Sequence, residues 1–245
     1  MRNILNLNAA WAFQKDCAQA PEALCAEWEA VNLPHSWNAV DGQDGGADYF
    51  RGKCCYAKEL VKAELPAADK YYLEINGANS SADVFVDGKN LAHHDGGYST
   101  WRVDLTDALA DESLLVIAVD NSANETVYPQ MADFTFYGGL YRNVNLVAVS
   151  ESHFDLDFFG GKGLTVTPSV DGDNATVEVV TYVTAKKPEQ STKYVITDAN
   201  GKVIDKTTSS NVFITFNFRS NYNVTLYKVV YKHCFFNDIN NFIKI

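Results

Sequence analysis

The chain has 245 residues, 47% of them hydrophobic, enough for one large domain or two ordinary ones with packed cores. It carries a net charge of −11 and a pI near 4.8, with no run of lysine or arginine to track a phosphate backbone, so nucleic acid is not an expected partner. No stretch is long and apolar enough for the core of a signal peptide or for a membrane span, and the expectation is a soluble, cytoplasmic chain with no membrane partner.

The first patterned segment is "PEALCAEWEAV" (21–31), where Leu24, Trp28 and Val31 fall on one face of a helix; the same residues also suit an irregular loop. Strand-like runs then dominate: "KYYLEI" (70–75), "ADVFVDGKNLA" (82–92), "SLLVIAVDN" (113–121) and "NVNLVAV" (143–149). Within the second of these, Asp87-Gly88 interrupts alternating apolar residues and predicts a tight hairpin turn, because this pair accepts positive φ. With no sustained 3.6-residue period competing, the fold class is all-β.

A seam follows Ser150, where a Gly-Gly-Lys-Gly stretch (160–163) precedes two fresh alternating runs, "ATVEVVTYVT" (175–184) and "KYVITDANGKVIDKTT" (193–208). Asn200-Gly201 predicts a second hairpin, and the size suits a smaller immunoglobulin-like sandwich over 151–210, after a first domain over 1–150. From Asn211 the composition shifts to Asn, Phe, Tyr, Lys and Ile, without Ala, Gly, Pro or Glu. Residues 211–245 are either aromatic strands completing that sandwich or an atypical tail that packs poorly.

Few residues outside these runs point to chemistry. Five cysteines without a CxxC spacing suggest reduced thiols rather than a disulfide framework or a zinc knuckle, and adjacent Cys54 and Cys55 diverge on a strand. His93-His94-Asp95 reads as a surface turn rather than a metal site, since neighbouring strand side chains point to opposite faces. Glu27 with Glu29, and Asp155 with Asp157, read as solvated acids. Trp37, Tyr98 and Trp101 could each stack on a sugar, yet core packing is the expectation for all three. There is no G-x-S-x-G elbow and no phosphate-cradling loop, and neither a cofactor nor a metal is expected.

Five segments in order, "VNLPHSWNAVDGQDGG" (31–46), "DYFRGKCCYAKEL" (48–60), "INGANSSADVFVDGKNLAHHDGGYSTWRVDLTDAL" (75–109), "LLVIAVDNS" (114–122) and "DFTFYGGLYRNVNL" (133–146), resemble the N-terminal region of glycoside hydrolase family 2, the β-galactosidase and β-glucuronidase family. The resemblance covers residues 1 to about 208. It implies a jelly-roll sugar-binding domain followed by part of an immunoglobulin-like domain. The family's catalytic glutamates lie on a TIM barrel of about 200 residues or more, for which this chain has no room, so no acid here is expected to be catalytic.

By the same resemblance, Asp133 opens the motif whose aspartate reaches toward the barrel and hydrogen-bonds the sugar, a role suited to a carboxylate that accepts from two hydroxyls at once. Asp48 is a second candidate for contact with sugar, although Ala47 stands where relatives carry Asn. Cys55 stands where an aromatic is usual, which implies a thinner core beneath Tyr56. Arg142 is expected to pin its strand through a salt bridge. The implied partners are a β-galactoside or related glycoside, the barrel of the full-length enzyme, and further copies of the chain if it forms a homo-oligomer. A stand-alone carbohydrate-binding module and a ligand-free scaffold are the alternatives.

Overall fold

The fold was analysed in a computed structural model, which describes residues 2–39, 41, 49–127, 135–158, 160–171, 174–198, 202–211, 213–219 and 224–232. Two compact units result, one over Asn3–Ala148 and the other from Val149 onward. In the first unit the strands are β1 (Asn3–Asn6), β2 (Trp11–Gln14), β3 (Glu29–Val31), β4 (Lys53–Val61), β5 (Lys70–Ile75), β6 (Ser81–Val86), β7 (Lys89–Asp95), β8 (Trp101–Asp104), β9 (Glu112–Asp120) and β10 (Val144–Val149). Among the described residues the sole helical element is the 3-10 turn Lys62–Glu64. A six-stranded sheet runs β3-β2-β4-β9-β6-β7, and a four-stranded sheet runs β1-β10-β5-β8. The fold is all-β, and this unit is a sandwich of jelly-roll type.

Alternation decides what lies inside. Leu115, Ile117 and Val119 of β9 join Tyr56 of β4 and Val84 and Val86 of β6 in the core that the two sheets enclose. The intervening residues Leu114, Val116 and Ala118 do not meet water either. They form a second apolar cluster with Ala57, Cys55 and Cys17, against which Ala20 and Trp28 pack from residues 15–28. Both faces of β9 are therefore buried, which explains why its sequence is a continuous apolar run. In the β6–β7 hairpin, Asp87 and Gly88 take φ of 48° and 78°, the left-handed pair that a two-residue turn needs.

The second unit contains β11 (His153–Phe154), β12 (Leu164–Asp171), β13 (Asn174–Thr181), β14 (Val183–Thr184), β15 (Ser191–Asp198), β16 (Val203–Ser209), β17 (Phe213–Arg219) and β18 (Val224–Lys232). These make sheets ordered β12-β13-β17 and β16-β15-β18, with β11 paired to β14. Val179, Tyr194, Ile196 and Phe216 are among its buried core. The aromatic stretch after Asn211 thus supplies two strands, β17 paired to β13 and β18 paired to β15. Asn200-Gly201 lies outside the described residues.

One open alternative is decided and two expectations change. Residues 21–28 are irregular and lead into β3: Trp28 packs on the outer cluster and Val31 enters the main core, while Leu24 is exposed, so the three never share a face. The thiols are not all reduced, because Cys17 and Cys55 form a disulfide with Cα atoms 5.8 Å apart. The pairing of β2 with β4 brings them together: Gln14 lies opposite Cys55, and the Cys17 amide donates to the Lys53 carbonyl at 2.8 Å. Lastly, Cys55 points away from the core, so no gap opens beneath Tyr56. Cys54 faces inward as a buried free thiol, and burial pushes its pKa up to about 11.

The Cys17–Cys55 bond closes a loop over a sequence separation of 38, which chain entropy values at about 4 kcal/mol. Cys17→Ala should lower the unfolding free energy by about that amount in urea titrations under air, and by less than about 1 kcal/mol with excess dithiothreitol. Equal stability of variant and parent under both conditions would contradict the pairing.

Candidate functional site

The short segment His35–Asn38 meets the ends of β4 and β9 at one edge of the first unit. Asn38 and Asn121, both 0% exposed, lie at the centre. The Asn38 Oδ1 accepts from the Gly138 amide at 2.8 Å and from the Asn121 Nδ2 at 3.2 Å. Its Nδ2 donates to the Phe50 carbonyl at 2.9 Å and to Asp41 Oδ2 at 3.1 Å. Asn121 Oδ1 accepts from the Gly52 amide at 2.9 Å, and its Nδ2 also faces the Phe136 carbonyl at 3.3 Å. A primary amide fits this place because it both donates twice and accepts twice, which no apolar or hydroxyl side chain of that size can do.

Around this knot the chain closes tightly. Ser36 Oγ donates to the Gly138 carbonyl at 2.8 Å, and the His35 amide to the Leu140 carbonyl at 2.8 Å. A Cβ on Gly138 would lie 2.0 Å from Trp37 Cζ2, so only glycine lets the backbone pass the buried indole, while Gly139 sits at φ 131°. Asp41 accepts from the Phe50 amide at 3.1 Å; that bond, before the help of Asn38 and Lys15, holds its pKa below the usual carboxylate value. Behind the knot, Tyr56 Oη and His35 Nδ1 are 2.8 Å apart, and burial raises the phenol's pKa and lowers the imidazole's. Both groups therefore stay neutral at pH 7.

Asp48 and Asp133 themselves lie outside the described residues. The knot nonetheless joins the described residues flanking each of them: Asp41 and Phe50 on the one side, Phe136 and Gly138 on the other. On the other flank of Asp133, Asn124 and Thr126 are tied to Asp95. That carboxylate accepts from Ser81 Oγ at 2.6 Å, Asn124 Nδ2 at 3.0 Å and Thr126 Oγ1 at 2.6 Å. His93 lies between Asp83 (2.8 Å) and Asp95 (3.2 Å). These histidines are strand residues of β7 rather than a turn; His94 turns the opposite way and stacks on Trp101 at 4.8 Å.

Arg142 makes no salt bridge among the described residues. Its Nη1 instead donates to the carbonyls of Tyr98 (3.0 Å) and Asn76 (3.4 Å). Trp37 and Trp101 are core residues as expected, whereas Tyr98 is 52% exposed. Glu27 and Glu29 are exposed. Sequence reasoning missed Asn38 and Asn121, and read Asp95 only as part of a surface turn; the one available signal for Asn121 was its place just past the apolar run Leu114–Val119 of β9.

Residues 49–153 match the family model described as the glycosyl hydrolase 2 galactose-binding domain-like family. The chain contains a glycosyl hydrolase 2 galactose-binding-like domain. A β-glucuronidase of Bacteroides fragilis is 36% identical over 124 residues, covering 50% of this chain and 18% of that protein. A β-galactosidase of Thermoanaerobacter pseudethanolicus is 25% identical over 194 residues, covering 76% of this chain and 25% of that protein. The crystal structure of an FMN-binding β-glucuronidase from Facaelibacterium prausnitzii superposes with a TM-score of 0.82 at 35% identity, covering 100% of this chain and 38% of that one. The chain therefore spans well under half the length of these relatives. The galactose-binding-like domain includes Asn121 and the Gly138–Gly139 pair within the matched residues, and Asn38 just before them.

Two measurements test this geometry. Gly138→Ala should destabilise the chain by about 3 kcal/mol in urea unfolding, against about 1 kcal/mol for Gly88→Ala, where φ is 78° but the nearest atom to a new Cβ is 3.8 Å away. Comparable losses at the two sites would show that the close approach to Trp37 is wrong. Separately, the His93 ring should titrate above its ordinary 6.5 by NMR, chiefly because of the Asp83 hydrogen bond, and Asp83→Asn should bring it down. Its stabilising effect is complete below that ordinary value and is lost as pH rises through the raised one. Asp95, held to about 2 by Ser81 and then Thr126, contributes above its ordinary 3.8 and fades only as pH falls through about 2.

Proposed function

We propose that this chain is the sugar-facing, barrel-bracing part of a glycoside hydrolase acting on β-glycosides, with Asp133 and Asp48 contacting the sugar. The observation that carries this reading is the single knot of Asn38 and Asn121, which fastens the flanks of both candidate acids to one rigid edge. A buried and fully hydrogen-bonded frame is what a loop needs if it is to hold a carboxylate in a defined place. β-Glucuronides come ahead of β-galactosides as the substrate, because the relatives at 36% and 35% identity are named β-glucuronidases and the named β-galactosidase stands at 25%. The second unit is read as an immunoglobulin-like brace, and hydrolysis is assigned to the barrel of the full-length enzyme, since glycosidic cleavage needs two carboxyls held on opposite sides of the bond.

The test is a chimera in which residues 1–150 replace the corresponding part of a full-length relative. Asp133→Ala in that chimera should lower kcat/KM on an aryl β-glucuronide at least tenfold, about 1.4 kcal/mol, while leaving the urea midpoint of the isolated chain within error. The isolated chain should hydrolyse neither aryl β-glucuronide nor aryl β-galactoside. Unchanged kinetics with a large loss of stability would make Asp133 structural and overturn the site; turnover by the isolated chain would overturn the assignment of chemistry to the barrel.

A further inference from the structure

Arg142 is built into place and yet, among the described residues, has no carboxylate partner of the kind its chemistry calls for. In a chain with 31 acidic against 20 basic residues, arginines readily find carboxylates, as Arg102 finds Glu74 at 2.7 Å. Arg142 has none among the described residues. Its Nη1 is occupied by the Tyr98 and Asn76 carbonyls, its guanidinium lies 5.2 Å from the Tyr141 ring centroid, and its Cδ rests where a Cβ on Gly77 would come within 3.1 Å. Tyr141 is fixed in turn by donating its hydroxyl to the Gly97 carbonyl. What remains is the Nε/Nη2 edge, the edge that takes a carboxylate through two parallel hydrogen bonds.

Beside it stands Tyr98, a residue 52% exposed whose ring meets Tyr141 edge-on at 6.4 Å between centroids. An exposed phenol ring is a stacking surface for the C–H face of a sugar, and a fixed guanidinium fork is a receptor for a planar carboxylate. We infer that Arg142 and Tyr98 form a binding point for a uronic acid residue of a glycan, with the carboxylate on the Arg142 fork and the ring against Tyr98. The fork is held before the ligand arrives, so little side-chain freedom is lost on binding. The inference rests on the reading of the chain as part of a β-glucuronide-processing enzyme, and adds that its galactose-binding-like domain recognises the acid group itself.

Methyl β-glucuronide, methyl β-glucoside and sodium acetate, titrated separately into the full chain at low salt and followed by NMR, separate the contributions. The uronide should bind at least about fivefold more tightly than the glucoside, which lacks the charge, and than acetate, which lacks the ring. Arg142→Gln should erase the preference for uronide over glucoside. Tyr98→Ala keeps the carbonyl that holds Arg142, and should weaken the uronide several-fold while leaving acetate unchanged. Equal binding of uronide and glucoside, acetate binding as tightly as the uronide, no binding of any probe, or an Arg142→Gln chain that binds like the parent would each overturn the proposal. None of these outcomes bears on Asp133, whose role is read from hydrolysis by the chimera.

Discussion

Two asparagine amides without access to water, Asn38 and Asn121, satisfy backbone groups from two separated segments of the chain, 50–52 and 136–138. Without them the Gly138 and Gly52 amides and the Phe50 and Phe136 carbonyls would lose partners at a buried edge, and each such loss costs about 1–3 kcal/mol. That constraint explains much of what surrounds it. Gly138 has to be glycine because the knot draws the backbone against Trp37, and Ser36 and His35 follow because they secure the same stretch from the other side. A polar network of this kind specifies one arrangement, since an alternative packing would leave its members unpaired in an apolar setting.

The sheet beneath the knot is rigid for a related reason. With apolar residues on both faces of β4 and β9, the strands that deliver Gly52 and Asn121 are buried between the inner core and the segment 15–28, and the Cys17–Cys55 bond fixes one end of that segment to β4. The knot is thus held by strands with little freedom. Placing functional residues next to a rigid frame is how binding sites are commonly built on β-sandwiches.

Much of the fold was legible in the residues because local chemistry and tertiary structure agree there. "KYYLEI" coincides with β5, and Asp87-Gly88 forms the turn that its positive-φ tolerance predicts. The stretch 21–31 stayed open between helix and irregular loop because the spacing of Leu24, Trp28 and Val31 imitates a helix; in the fold it is irregular, with Trp28 serving the outer cluster and Val31 the inner core. The disulfide was hidden for another reason: Cys17 and Cys55 meet only through the β2–β4 pairing, which no spacing reveals. Arg142 was foreseen as a pin for its strand, but its partners are carbonyls, and sequence cannot distinguish a carbonyl partner from a carboxylate. Asp48 and Asp133 were legible only through resemblance; the asparagines that hold their flanks carry no motif.

The account stands on the two asparagines acting as one unit, and a double-mutant cycle measures that directly. Asn38→Ala, Asn121→Ala and the double variant, unfolded in urea, should give a coupling energy of at least about 1 kcal/mol, because removing either amide already strands the other. Losses that add to within about 0.5 kcal/mol would show two independent hydrogen-bonding residues, and the knot would no longer explain how the flanks of both candidate acids are held at one edge.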